Sequence, residues 1–251
     1  MPEKLPKSVL ITGANRGIGY GLVKEFLKHS EVEFVFAGVR KPESAKELLE
    51  IHDSRLKIVK LDVTSDESIK AVEHQVASMV GDHGLNLLIN NAAVLIPYWL
   101  NEEPNRANLL EMHNVNLVSP IVVAHFFLPL LRKAARSGTW GISTSAVINI
   151  SSELGSNTRC QEPGSGRLGF IPYKSSKAAM NRFTATLSED IKNDGILVAA
   201  FHPGWVQTDM GGPEAPTPLA ESVGNLVKSF GRLGEEHCGG FFDNEGNVIE
   251  Y

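Results

Sequence analysis

Cysteine is scarce in this chain: two stand among 251 residues, Cys160 and Cys238. Neither lies in a CxxC pair or at ligand spacing from a histidine, so neither a disulfide framework nor a zinc site is indicated, and both read as free thiols. Positive charge is in deficit as well, with 24 Lys and Arg against 29 Asp and Glu for a formal net charge of -5. No basic run breaks that balance, which argues against a nucleic-acid or anionic-membrane partner. The opening MPEKLPKSVLITG lacks the charged, apolar and small-residue zones of a signal peptide, and no apolar stretch reads as a membrane span of about 18 residues. A cytoplasmic protein is expected. Repeats and low-complexity linkers are lacking too, so a single domain over residues 1–251 is expected. With 42% hydrophobic residues it is large enough to bury a sizeable core.

What is present is alternation. SVLITG, FVFAGVR, LKIVKLDV, LNLLINNAA, AVINISS, ILVAAFHPG and GGFFD read as strands, several too uniformly apolar for a sheet with one wet face. Between them lie the helical patterns GYGLVKEFLKH, SAKELLEIH, DESIKAVEHQVASMV, ANLLEMHNVNLVSPIVVAHFFLPLLRKAA and YKSSKAAMNRFTATLSEDIKN. Thr64, with Glu67 three residues on, forms an expected capping box for the third helix. Strand and helix in turn imply right-handed crossovers. The expected fold is α/β: one doubly wound, Rossmann-type domain with a mainly parallel sheet of about seven strands and helices on both faces.

The first strand runs straight into TGANRGIG, which places Gly13, Gly17 and Gly19 around Asn15, Arg16 and Ile18 at the start of a helix. Glycine permits the tight turn and the close approach of a phosphate to free N–H groups at a helix N-terminus. The same glycines could serve helix packing alone, but the flanking strand and helix favour a dinucleotide pyrophosphate. The second strand ends AGVR, with no carboxylate to take ribose hydroxyls and with Arg40 directly following. Arg16 and Arg40 together point to a 2′-phosphate, hence NADP(H) rather than NAD(H). Asp62 and Val63 close the third strand and NNAA, Asn90 to Ala93 with Ala92 among them, closes the fourth. These strand ends are expected to line the adenine and inner ribose.

In YKSSK, Tyr173 and Lys177 stand four residues apart and share one helical face. A solvated helix face satisfies that spacing, and so does a phenol acidified by its cationic neighbour.

Taken in order, the glycine turn, NNAA, NISS and YKSSK make the chain resemble the short-chain dehydrogenase/reductase family, over about Ser8 to Phe242. HPGWVQTDMGG and the long serine-to-tyrosine interval are most similar to sniffer-type carbonyl reductases. The resemblance implies catalysis by Ser152, Tyr173, Lys177 and Asn116. Tyr173 would exchange the proton, Lys177 would lower its pKa and hold the nicotinamide ribose, Ser152 would bond the substrate oxygen, and Asn116 would hold a relay water. Pro203, Gly204, Val206 and Thr208 would contact the nicotinamide carboxamide, and Asn90 would contact ribose or brace the sheet. Two departures stand out: Ala93 replaces the usual glycine of NNAG, and Ser152 lies 21 positions before Tyr173 rather than about a dozen.

The implied activity is NADPH-dependent reduction of an aldehyde, ketone or quinone, a small-molecule carbonyl substrate, in a homodimer. A loop insertion at about 156–170 and a flap at about 209–232 would flank the substrate, with Trp99, Trp205 and the Phe170-Ile171-Pro172 run as candidate apolar lining. Oxidation of an alcohol or steroid by the same residues is one alternative. A cofactor-responsive regulatory protein is another, although Ser, Tyr and Lys are all retained.

Overall fold

A computed structural model describes residues 4–159 and 169–251. All seven apolar runs form strands: β1 (Ser8–Thr12), β2 (Phe34–Val39), β3 (Leu56–Lys60), β4 (Leu87–Asn90), β5 (Ala146–Ile150), β6 (Leu197–Phe201) and β7 (Phe241–Phe242). They make one parallel sheet in the order β3-β2-β1-β4-β5-β6-β7. The order reverses direction between β1 and β4, so a crevice opens above their C-terminal ends.

Helices α1 (Gly17–Leu27), α2 (Lys46–Leu49), α3 (Asp66–Val80), α4 (Arg106–His113), α5 (Ser119–Ala134), α6 (Ile171–Asp190) and α7 (Leu219–Phe230) connect the strands. Alternation along β1 shows why its run is apolar throughout. Val9 and Ile11 join a core with Leu22 and Phe26 of α1 and Leu226 and Phe230 of α7. Leu10 joins the opposite core with Ile69 and Val76 of α3 and Phe127 and Leu131 of α5. Both faces are covered, so both sets of alternating side chains must be hydrophobic.

Three expectations need adjustment. The cap of α3 is Ser65, which accepts from the Ser68 N–H, while Thr64 bonds Asp62 instead. Pairing of the Asp62 carboxylate with Thr64 pulls that residue out of the capping position. The helical run Arg106–Ala134 is long and apolar enough to cross a membrane, against the reading of the sequence, but one of its faces is in the sheet core through Val123, Phe127, Leu130 and Leu131. The expected flap divides: α7 is packed into the core, and Gly21 of α1 lies so near it that a Cβ there would stand 2.8 Å from Val223. Only residues 209–218 remain to cover a cleft. Most of the expected loop insertion, together with Cys160, lies outside the described residues; Cys238 is a half-buried free thiol.

Candidate active site

The turn after β1 is built by backbone conformations that favour glycine. Gly13 and Gly17 have φ of 65° and 54°. A Cβ on Gly13 would stand 2.8 Å from the Ala92 Cα, and one on Gly19 would collide with the Gly13 carbonyl oxygen. Arg16 caps α1 in an extended conformation with no side-chain cap bond, so the first N–H groups of the helix are left for an anion. Thr12 and Asn91 fasten this turn to β4. The N–H groups of Asn91 and Ala92 each donate to Thr12 Oγ1 at 3.0 Å, and Asn91 Nδ2 donates to the Thr12 and Gly13 carbonyls at 2.9 and 3.1 Å. Ala93 fits here without backbone strain, because no described residue other than glycine has a positive φ.

The two arginines diverge. Arg16 Nη1 lies 3.0 Å from Asp209 Oδ2, an exposed ion pair joining the glycine turn to the loop after β6. Arg40 is exposed at the end of β2 and helps to lower the Asp62 pKa, an effect led by the Thr64 hydrogen bond. Thr208, next to Asp209, reaches within 3.4 Å of where a Gly17 Cβ would be. The 203–208 segment is itself held in place: Ser222 Oγ donates to the Pro203 carbonyl at 2.6 Å, Gly204 has φ of 88°, and Val206 pairs with Thr217. Val63 and Asn90 lie together with Thr12, Ala92 and Val115 around a shallow depression.

The catalytic candidates meet beyond the end of β5. Tyr173 and Lys177 lie on the buried face of α6, and Ser152 follows the strand. Hydrogen bonding joins Ser152 to the Tyr173 phenol. Lys177 Nζ donates to the Ile150 carbonyl at 2.8 Å and stands 5.7 Å from the centre of the Tyr173 ring. Burial pushes the phenol up to about 12, with the Ser152 bond opposing it, and brings the Lys177 ammonium down to about 8. Desolvation is the larger influence on the phenol, and the Ser152 hydrogen bond opposes it.

A family profile described as short chain dehydrogenase matches residues 7–218. The chain belongs to that family. Solved structures similar to it include the putative carbonyl reductase Sniffer of Caenorhabditis elegans, at 42% identity and a TM-score of 0.90, and the carbonyl reductase Sniffer of D. melanogaster, at 35% and 0.92. An NADPH-bound carbonyl reductase from chicken fatty liver is 39% identical, with a TM-score of 0.92. In all three cases the match covers 98% of this chain and 100% of the other.

Within this short-chain dehydrogenase, Asn116 lies in the π-helical turn Asn114–Val118 between α4 and α5. Its side chain is fully engaged in a clamp. Oδ1 accepts from the Val94 N–H at 2.9 Å, while Nδ2 donates to the Val94 carbonyl at 2.9 Å and to Ser176 Oγ at 3.1 Å. Asn90 braces the sheet: its Nδ2 donates to Asn149 Oδ1, and Asn149 donates to Thr184, each at 2.9 Å. Ser151 donates to Asn181 Oδ1 at 2.5 Å.

Asn149, Ser176, Asn181 and Thr184 were not singled out in the sequence. The signal was there, since Tyr173, Lys177 and Asn181 recur every four residues and mark a polar helix face turned inward. Of the residues expected to line the substrate, Trp99 packs over Gly169, whose carbonyl accepts from the Tyr98 N–H at 2.8 Å. Trp205 donates to the Gly211 carbonyl at 2.7 Å, and of the 170–172 run Ile171 is exposed while Pro172 is buried.

Proposed function

We propose that this chain is an NADPH-dependent reductase of aldehydes, ketones or quinones. The observation that carries the reading is the hydrogen-bonded pair Ser152 and Tyr173 at the end of β5, two hydroxyls able to donate to one substrate oxygen. Burial keeps the phenol protonated, the form that a reduction requires. Lys177 supports the site from below through the Ile150 carbonyl.

The glycine cradle and the uncapped start of α1 fit a pyrophosphate, and Arg40 after β2 suits a 2′-phosphate. Bound there, NADPH would supply the hydride. The chicken reductase that is similar throughout is itself NADPH-bound, which supports this choice of cofactor. Leu110 of α4, Val118 of the π-helical turn and Ile121 of α5 are exposed and apolar, which supports pairing with a second copy. Light scattering of the purified chain tests that pairing.

The function is tested by mixing the protein with NADPH and a panel of carbonyl compounds and following cofactor absorbance. Turnover that Tyr173→Phe abolishes, with NADPH still bound, is the expected result. A parent protein that binds NADPH and reduces no aldehyde, ketone or quinone contradicts the reading.

A further inference from the structure

His202 directly follows β6 and is mostly buried, with its side chain 12% exposed, and the chemistry above gives it no task. Its N–H donates to the Phe242 carbonyl at 2.7 Å, which anchors the residue to the β6–β7 edge. Ring Nε2 stands 3.5 Å from Glu153 Oε1, and Nδ1 is buried with no hydrogen-bond partner among the described residues. The other carboxylate oxygen, Oε2, takes Arg159 Nη1 at 3.0 Å. A buried, orphaned ring nitrogen is costly, and a residue needed only for packing could be apolar.

The two ends of this contact matter. Glu153 begins the short 3₁₀ turn Glu153–Gly155, whose cap is Ser152; Ser152 Oγ accepts from the Leu154 N–H at 3.2 Å. The same turn abuts the catalytic helix, because a Cβ on Gly155 would stand 2.6 Å from the Lys177 carbonyl carbon. His202 directly precedes Pro203, the start of the loop assigned to the nicotinamide. One side-chain contact thus joins the serine turn to the cofactor loop.

We propose that His202 and Glu153 form a positioning bridge that fixes the Ser152 turn against the loop beginning at Pro203, and so sets where the substrate oxygen lies relative to the nicotinamide. This rests on the reductase reading. Neither residue touches the reacting atoms; both act through Ser152. Misplacing a hydrogen-bond donor by an ångström is enough to slow a reaction by about 100-fold. The charged groups that act on His202 are Glu153 and Asp243, which favour its protonation, and Arg159, which with the dominant effect of burial opposes it.

The test uses Glu153→Gln, His202→Leu, their double variant and Arg159→Gln, all in the full chain. Glu153 is part-exposed, so its amide variant is expected to fold. Four readouts are taken: kcat, NADPH affinity, hydrogen exchange of the Leu154 amide, and the His202 ring titration by NMR. Glu153→Gln is expected to lower kcat about tenfold, leave NADPH affinity within about twofold and speed Leu154 exchange.

It should also move the His202 titration to lower pH, whereas Arg159→Gln moves it up and leaves kcat near the parent value. The double variant should be no slower than the worse single variant, as for groups acting in one unit. Unchanged kcat or unchanged Leu154 exchange in Glu153→Gln overturns the bridge. So do additive losses in the double variant, or an equal loss in Arg159→Gln. Leu154 exchange and the ring titration need no turnover, so a parent with no reductase activity defeats the functional reading while these two still decide whether the bridge exists.

Discussion

Lys177 Nζ donates to the Ile150 carbonyl at 2.8 Å, and the same ammonium stands 5.7 Å from the centre of the Tyr173 ring. The cation is thus tied to the end of the strand that carries Ser152, two residues on. Both side chains are buried, and burial penalises the charged form of each. The phenol is driven up to about 12 and the ammonium down to about 8. The site holds a neutral acid above a lysine that is reluctant to be charged.

Without cofactor, the Tyr173 phenol should ionise near pH 12 instead of 10.0. The folded value exceeds the unfolded one, so the folded state holds this proton more tightly. That stabilisation is fully present below about pH 10 and is lost as pH rises through about 12. Phenolate difference absorbance follows the titration, and Tyr173→Phe should delete this phase. A Tyr173 phase at or below the usual tyrosine range would mean that Lys177 does acidify the phenol.

Lys177 gives the opposite sign. Its folded pKa of about 8 lies below the ordinary 10.5, so the unfolded chain binds this proton more strongly. The destabilisation is complete below about pH 8 and is relieved as pH rises to about 10.5. Lys177→Met should therefore stabilise the cofactor-free chain at pH 7 by roughly 1 to 3 kcal/mol while abolishing turnover. Urea unfolding at neutral and alkaline pH measures it. A variant less stable than the parent at pH 7 would show that the Ile150 bond outweighs desolvation.

Gly13→Ala and Gly19→Ala should weaken NADPH binding by about tenfold or more, because each new methyl closes the cradle against backbone or forces a left-handed conformation on alanine. Fluorescence titration with NADPH reads the loss. Ala93→Gly, at a position without positive φ, should leave affinity nearly unchanged.

Arg40→Ala should narrow the preference for NADPH over NADH by more than Arg16→Ala does. Arg16 already pairs with Asp209, whereas Arg40 stands beside Asp62 at the end of β2. The exposed Arg16–Asp209 pair should itself change stability by no more than about 1 kcal/mol. Dissociation constants for both cofactors in the two variants decide the matter, and an equal effect of both substitutions would refute the ranking.

The strands were legible because a sheet covered on both faces demands unbroken apolar runs, which short segments such as AVINI and LVAAF display. Ser152, Tyr173 and Lys177 were legible because their order and spacing recur in a family. Thr64 was misplaced because its neighbour Ser65 offers the same chemistry, and the choice between them depends on where Asp62 turns. The helical run at 106–134 was underestimated because its apolar residues serve more than one face. Asp209 went unnoticed as the partner of Arg16, since 193 positions separate them and no local pattern connects them.

By itself the sequence determined the alternation of strand and helix and the glycine cradle, since each is encoded in periodicity or spacing along a few adjacent residues, while resemblance to a family named Ser152, Tyr173 and Lys177 as candidates. Only the tertiary structure decided their protonation and their support. Those depend on how much water is excluded around Tyr173, Lys177 and His202 and on which distant groups stand near them, quantities fixed by packing in three dimensions and absent from any local stretch of chain.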